Sequence, residues 1–182
     1  MPRDITVEVW YDHDAEQPPD EVFRISSFGR RHCNYTHPEK WFDEARRPVN
    51  IGVRRRIACG TLFPLCYYEH GSCVWSLAGE GPRDRFDSVP LSGVLEIVGD
   101  GPRLFKTREM REKAARAFLD EYTRWCNGEV YYIVVSDTDT EDTIDSLGNA
   151  YDIDTALADM LGADWRQNYN VTDTLGDAGW SL

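Results

Sequence analysis

Ile5, Val7, Val9 and Tyr11 alternate with Thr6, Glu8 and Trp10. A period of two predicts a strand with one buried face. Residues 12–20 are polar, carry Pro18-Pro19 and predict a loop. A short strand is expected over 21–26. A short helix is expected over 38–46, with Pro38 in its first turn. Apolar stretches at 65–68 and 73–77 predict the two strands of a hairpin around Glu69-His70-Gly71-Ser72. Residues 79–85 are a Gly/Pro loop. Another strand is expected over 93–98, closed by Gly99-Asp100-Gly101-Pro102.

The strongest periodicity lies at 107–126. Met110, Ala114, Ala117, Phe118, Tyr122 and Trp125 fall on one stripe of a 3.6-residue helix. Thr107 is a suitable N-cap, and Asn127-Gly128 supplies a left-handed stop. Residues 129–136 follow with Val130, Tyr131, Tyr132, Ile133, Val134 and Val135, apolar on both faces, which predicts a central strand. Residues 137–142 form a turn and 144–147 a returning strand. Asp154 is placed to cap a last helix that buries Leu157, Met160 and Leu161 and ends at Gly162. Residues 163–182 show no period and read as a loose tail. These elements predict an α+β fold: one antiparallel sheet, one long amphipathic helix packed on it, and short helices. A chain of 182 residues with no long linker or internal repeat reads as a single domain over 1–182.

Charge narrows the function. Residues 137–182 hold 11 acidic side chains and one base, Arg166. Most of the formal net charge of −12 therefore sits in the last quarter. That field opposes direct binding to nucleic acid or anionic lipid and favours a basic protein partner. No apolar run approaches the roughly 20 residues of a membrane helix. The stretch after Met1-Pro2-Arg3-Asp4 lacks the apolar core of a secretory signal, so a cytoplasmic location is expected. Cys33, Cys59, Cys66, Cys73 and Cys126 are then expected to be reduced thiols.

Candidate chemistry is sparse. Cys59, Cys66, His70 and Cys73 offer thiols and an imidazole, but only His70 and Cys73 are spaced like zinc ligands. Buried thiols are the simpler account, and no metal or cofactor is expected. The run Asp137-Thr138-Asp139-Thr140-Glu141-Asp142 suggests calcium. An EF-hand loop, however, needs Gly at its sixth position and Glu at its twelfth, where this chain has Asp142 and Gly148. His70 with Cys73, Ser72 or Asp87 could be assembled into the triad of a small hydrolase, and His70 with its nearby cysteines into a zinc enzyme. The arginines at 46, 47, 54, 55 and 56 lack the interleaved aromatics of a single-strand binder.

Four segments recur in order: Tyr68-Glu69-His70-Gly71; Phe86-Asp87-Ser88 with Gly93-Val94-Leu95-Glu96-Ile97; Trp125 through Gly128-Glu129-Val130-Tyr131; and Asp145-Ser146-Leu147-Gly148. Over about residues 66–150 the chain resembles a family of small phage-encoded accessory proteins without an established biochemical activity. It departs from the family in having Phe86 where Trp is usual and Val89 where Gly is expected. The resemblance implies a phage accessory factor acting in the host cytoplasm, and it supplies no catalytic residues.

Three classes of function are open, of which the third, a structural component of a virion, has no sequence feature behind it, and the lack of repeats argues against a fibre. The first is a non-catalytic binding protein that inhibits a host defence protein. It would use an acidic, DNA-mimicking face made by Asp137, Asp139, Glu141, Asp142 and Asp145 against a basic surface. The second is an enzyme centred on His70, Asp87 and Cys73.

Overall fold

The computed structural model describes residues 2–18, 21–82, 84 and 86–180. Pro19, Asp20, Arg83, Arg85 and residues 181–182, parts of the loops and tail expected above, lie outside the described residues. Among the described residues eight strands form two four-stranded sheets, where the sequence pattern predicted one. In chain order they are β1 (Arg3–Tyr11), β2 (Phe23–Ser27), β3 (Leu62–His70), β4 (Ser72–Leu77), β5 (Ser88–Ile97), β6 (Tyr131–Asp137), β7 (Thr143–Ala150) and β8 (Tyr169–Leu175). The helices are α1 (Ile51–Cys59), α2 (Gly101–Leu104), α3 (Arg108–Cys126), α4 (Ile153–Leu161) and α5 (Trp165–Asn168). The fold is therefore mixed α and β, with five α-helices among the described residues. Among the described residues no helix is long and apolar enough to cross a membrane.

The chain divides into two compact units. One is discontinuous, Met1–Gln17 with Arg124–Leu182; the other, Pro18–Thr123, is inserted within it. The expectation of one domain over 1–182 concerned the whole chain, within which these are the two compact units. Neither crossing point is a long linker: one lies within the polar loop after β1, the other inside α3.

The discontinuous unit carries the sheet β7-β6-β1-β8. Strand β1 pairs antiparallel with β6 and parallel with β8, so the sheet is mixed. Alternation along β1 aims Ile5, Val7 and Val9 at one face, where all are within 1% of full burial. They pack with Ile133, Val135, Leu157 and Trp165. Each such side chain contributes about 1.5–3 kcal/mol by leaving water. Helix α4 starts two residues earlier than expected: Asp152, not Asp154, caps it by accepting a hydrogen bond from Thr155 N (2.8 Å). The segment read as a loose tail instead forms α5 and β8. Gly176 explains part of that ordering, because a Cβ at its φ of +119° would fall 1.8 Å from Val9 O. Only glycine lets the backbone cross β1 so closely.

The inserted unit carries the sheet β2-β5-β3-β4. The β3–β4 hairpin turns at Gly71, φ +81°. Helix α1, hidden in the sequence by its arginines, begins at Asn50, whose Oδ1 accepts from Val53 N (3.0 Å), and ends at Gly60 in the left-handed region. Val53 joins Trp41, Phe42, Leu62 and Val94 in a second core. The helix expected over 38–46 is a single 3-10 turn, Pro38–Lys40.

Helix α3 does not lie on a sheet containing 129–136 as predicted. Its Phe118 stacks on Phe23 of β2 (4.9 Å between ring centroids), and Tyr122 meets Trp75 of β4 edge-on (6.3 Å). The buried stripe is Ala115, Phe118, Leu119 and Tyr122, and Met110 is exposed. Thr107 Oγ1 accepts from Met110 N (3.2 Å), as an N-cap does. Strand β6 is internal to its sheet, but only Ile133 and Val135 are fully buried on it, apart from Asp137. Because Phe118 is 6% exposed between stacked rings, Phe118→Ala should cost about 3–5 kcal/mol. Urea denaturation followed by near-ultraviolet circular dichroism reads this loss directly.

Candidate functional site

Strands β6 and β7 are joined by the turn that carries the acidic run, and backbone geometry decides which carboxylates it offers. Asp137 is buried at the end of β6. Its Oδ1 accepts from Asp139 N (2.9 Å) and Thr140 N (3.0 Å), and its Oδ2 accepts from Arg3 Nε (2.6 Å). Asp137 N donates to Asp142 O, closing the turn (2.9 Å). The Thr140 amide, then the Arg3 guanidinium, hold the Asp137 carboxyl below its usual range. Asp137, one of the five carboxylates expected at the contact surface, is thus engaged in building the turn.

The turn brings Asp139, Glu141 and Asp142 together, all exposed. Glu141 sits at φ +60°, a left-handed residue that bends the chain back into β7. Asp145 is separate. It stands opposite Val135, on the helix-covered side of the sheet, and is exposed because β7 is an edge strand.

The charge division follows the structural one. The discontinuous unit holds 17 acidic against three basic side chains, net −14; the inserted unit holds 15 against 17, net +2. Arg47 and Arg56 of the basic stretch pair with Asp43 and Glu96 inside their own unit. The acidic field is therefore broader than the turn. It includes Asp4, Glu8, Asp12, Asp14 and Glu16 from the first strand and its loop.

The alternative site is partly assembled. His70, at the tip of β3, has Nδ1 3.0 Å from Asp87 Oδ2, within hydrogen-bond distance. Asp84 supports the same loop: its Oδ1 accepts from Phe86 N (2.8 Å) and Asp87 N (3.2 Å), which lowers its pKa, with the charge of His70 a smaller contribution. Cys73 does not join them. It pairs in register with Glu69, so it projects from the face of the hairpin opposite His70. The nearest hydroxyl in sequence, Ser88 Oγ, is occupied, donating to Pro82 O (3.0 Å) and accepting from Asp84 N (2.9 Å). A neighbouring cleft of about 540 Å³ is lined by Cys66, Glu80, Asp84 and Ser88. Among the described residues, no three His, Cys, Asp or Glu side chains converge in a way that could hold a metal ion.

Sequence reasoning missed Trp10 and Tyr132. They are directly opposed in the β1–β6 register on the face away from α4, and each is 41% exposed. The signal was present: Trp10 falls in the polar phase of an alternating strand, where burial cannot account for an indole. Compared with known proteins, the chain matches no family model, no curated protein and no solved structure.

Asp137→Asn should lower stability at neutral pH by weakening the Arg3 pair and the turn. Because the folded-state pKa is depressed, the native contribution is present above the ordinary carboxylate pKa and is lost as pH falls through the lower folded value. The wild-type and variant melting curves should therefore converge in acid. Thermal melts from neutral pH downward check this.

Proposed function

We propose that this chain is a non-catalytic binding protein that captures a basic protein surface, in the manner of a phage accessory factor that inhibits a host defence protein. The observation that carries the reading is the concentration of net −14 in the discontinuous unit, with Asp139, Glu141 and Asp142 on a turn pinned by Asp137 and Arg3. Concentrated like charge works against the fold that holds it, and a basic partner offsets that cost. It also steers encounter, so association should fall steeply as salt rises. A rigid acidic turn on a sheet is compatible with imitation of a phosphate row, and Asp145 extends the acidic surface at the edge strand. The phage assignment and the host target rest on the sequence resemblance over residues 66–150.

The test begins with affinity capture from a host lysate and proceeds to kinetics with the captured protein. Replacing Asp139, Glu141 and Asp142 together by Asn, Gln and Asn should slow association at low salt by about tenfold, within the range of electrostatic steering. It should also flatten the salt dependence and leave the melting temperature nearly unchanged. Equal low-salt association of wild type and variant would reduce the turn to a solvated surface.

The His70–Asp87 hydrogen bond favours hydrolysis as a second reading. It is the weaker one, since Cys73 faces away and Ser88 is committed to its loop. Chromogenic carboxylic and phosphoric esters should turn over no faster with wild type than with His70→Ala. A His70-dependent rate would establish the enzymatic reading instead.

A further inference from the structure

The face of the β7-β6-β1-β8 sheet opposite α4 carries a side-chain pattern that a purely solvated surface does not require. Trp10 and Tyr132 are cross-strand partners there. One pair along, Glu8 stands opposite Val134, and Leu175, 48% exposed, lies beside Glu8 in the parallel register with β8. Exposed Trp and Tyr set among apolar neighbours are the residues that most often anchor protein interfaces. Carboxylates border them. Glu8 Oε2 accepts from Trp10 Nε1 (3.3 Å). Asp12 Oδ2 accepts from Asn149 N (3.0 Å), and lies near Gly148, which also flanks Tyr132. A Cβ on Gly148 would reach 3.6 Å from the Tyr132 ring and 3.2 Å from Asp12 Oδ2, so glycine leaves that side of the ring uncrowded.

We infer that this face is an arginine-binding surface: a guanidinium of a basic protein partner seats on the Trp10–Tyr132 pair, with Glu8 as its counter-ion. Charge complementarity selects the occupant. An apolar ligand would bring no positive charge to Glu8 and Asp12 in a unit of net −14, and an anionic one would be repelled. Among cations, guanidinium fits better than ammonium. It is planar, stacks on aromatic faces, is weakly hydrated, and keeps in-plane donors for a carboxylate while stacked. The inference rests on the reading of the chain as a binder of basic proteins and adds what that reading lacks, an anchor that distinguishes arginine from charge alone.

The full chain is titrated with two blocked peptides of equal charge, one alternating arginine and glycine, the other lysine and glycine. Affinities come from calorimetry, and the bound face is mapped by amide and indole N–H shifts in two-dimensional NMR. The expected result is tighter binding of the arginine peptide, with the Trp10 indole and the amides of 8–10 and 132–134 among the largest shifts. Trp10→Ala and Tyr132→Ala, each with an unchanged amide spectrum elsewhere, should each weaken the arginine peptide by about fivefold or more, as loss of a partly desolvated cation–π contact predicts. Trp10→Phe, which keeps a ring, should lose less. The Asp139/Glu141/Asp142 neutralised variant should weaken both peptides alike and leave their ratio intact. If the neutralised variant weakens binding while Trp10→Ala and Tyr132→Ala do not, the anchor is refuted and the acidic reading stands. If the aromatic variants weaken binding and neutralisation changes nothing, the anchor stands and the acidic turn falls. Equal affinity for the two peptides, or no saturable binding of either, overturns the arginine surface.

Discussion

Backbone pairing between β1 and β6 closes the discontinuous unit across the whole of the inserted one in sequence. Thr6 and Thr138, whose hydroxyls are 3.3 Å apart, are 132 positions apart in sequence. Bringing such distant segments together costs entropy before it returns any burial. The cost grows only logarithmically with loop length, by about 0.6 kcal/mol for each doubling. What answers it is the row Ile5, Val7 and Val9 meeting Ile133, Val135 and Leu157, all nearly or wholly buried. The acidic turn and the aromatic pair are both held in place by that one strand pairing, and Arg3, at the start of β1, reaches the turn itself.

The inserted unit solves a different problem. Its sheet is covered by aromatic stacking on one side, Phe23, Phe118, Tyr122 and Trp75, and by Trp41, Phe42 and Val53 on the other. Its ion pairs are largely satisfied locally, as Arg116 with Glu80 and Arg108 with Glu112 show. The two units therefore differ in how they hold charge. One neutralises it internally, and the other accumulates it on an exposed surface.

What could be read from residues alone follows from how local each signal is. The β1 alternation, the β3–β4 hairpin, the stop at Gly128 and the acidic turn are nearest-neighbour patterns, and the structure contains all of them. Helix α1 was hidden because a short helix with one fully buried residue, Val53, needs little apolar periodicity. Strand β8 was hidden because its order comes from β1 and from Gly176 passing over Val9, contacts that no local window contains. The same limit applied to the site. Exposure of Asp139, Glu141 and Asp142 follows from composition, whereas the inward turn of Asp137 depends on Arg3, 134 positions away. The juxtaposition of Trp10 and Tyr132 depends on the same long-range register.

The parallel pairing of β1 with β8 has a mechanical consequence. Arg3 lies beside Tyr169 and Glu8 beside Leu175, so a tension applied at Arg3 and Leu175 pulls the two strands lengthwise past each other. Their hydrogen bonds are then loaded together instead of one at a time. The load path runs across this pair and bypasses the inserted unit, which enters and leaves the chain between residues 17 and 124. Under stretching, the inserted unit is shielded until the β1–β8 clamp slips, so rupture should begin at that clamp at a force set by its unfolding barrier rather than by its equilibrium stability.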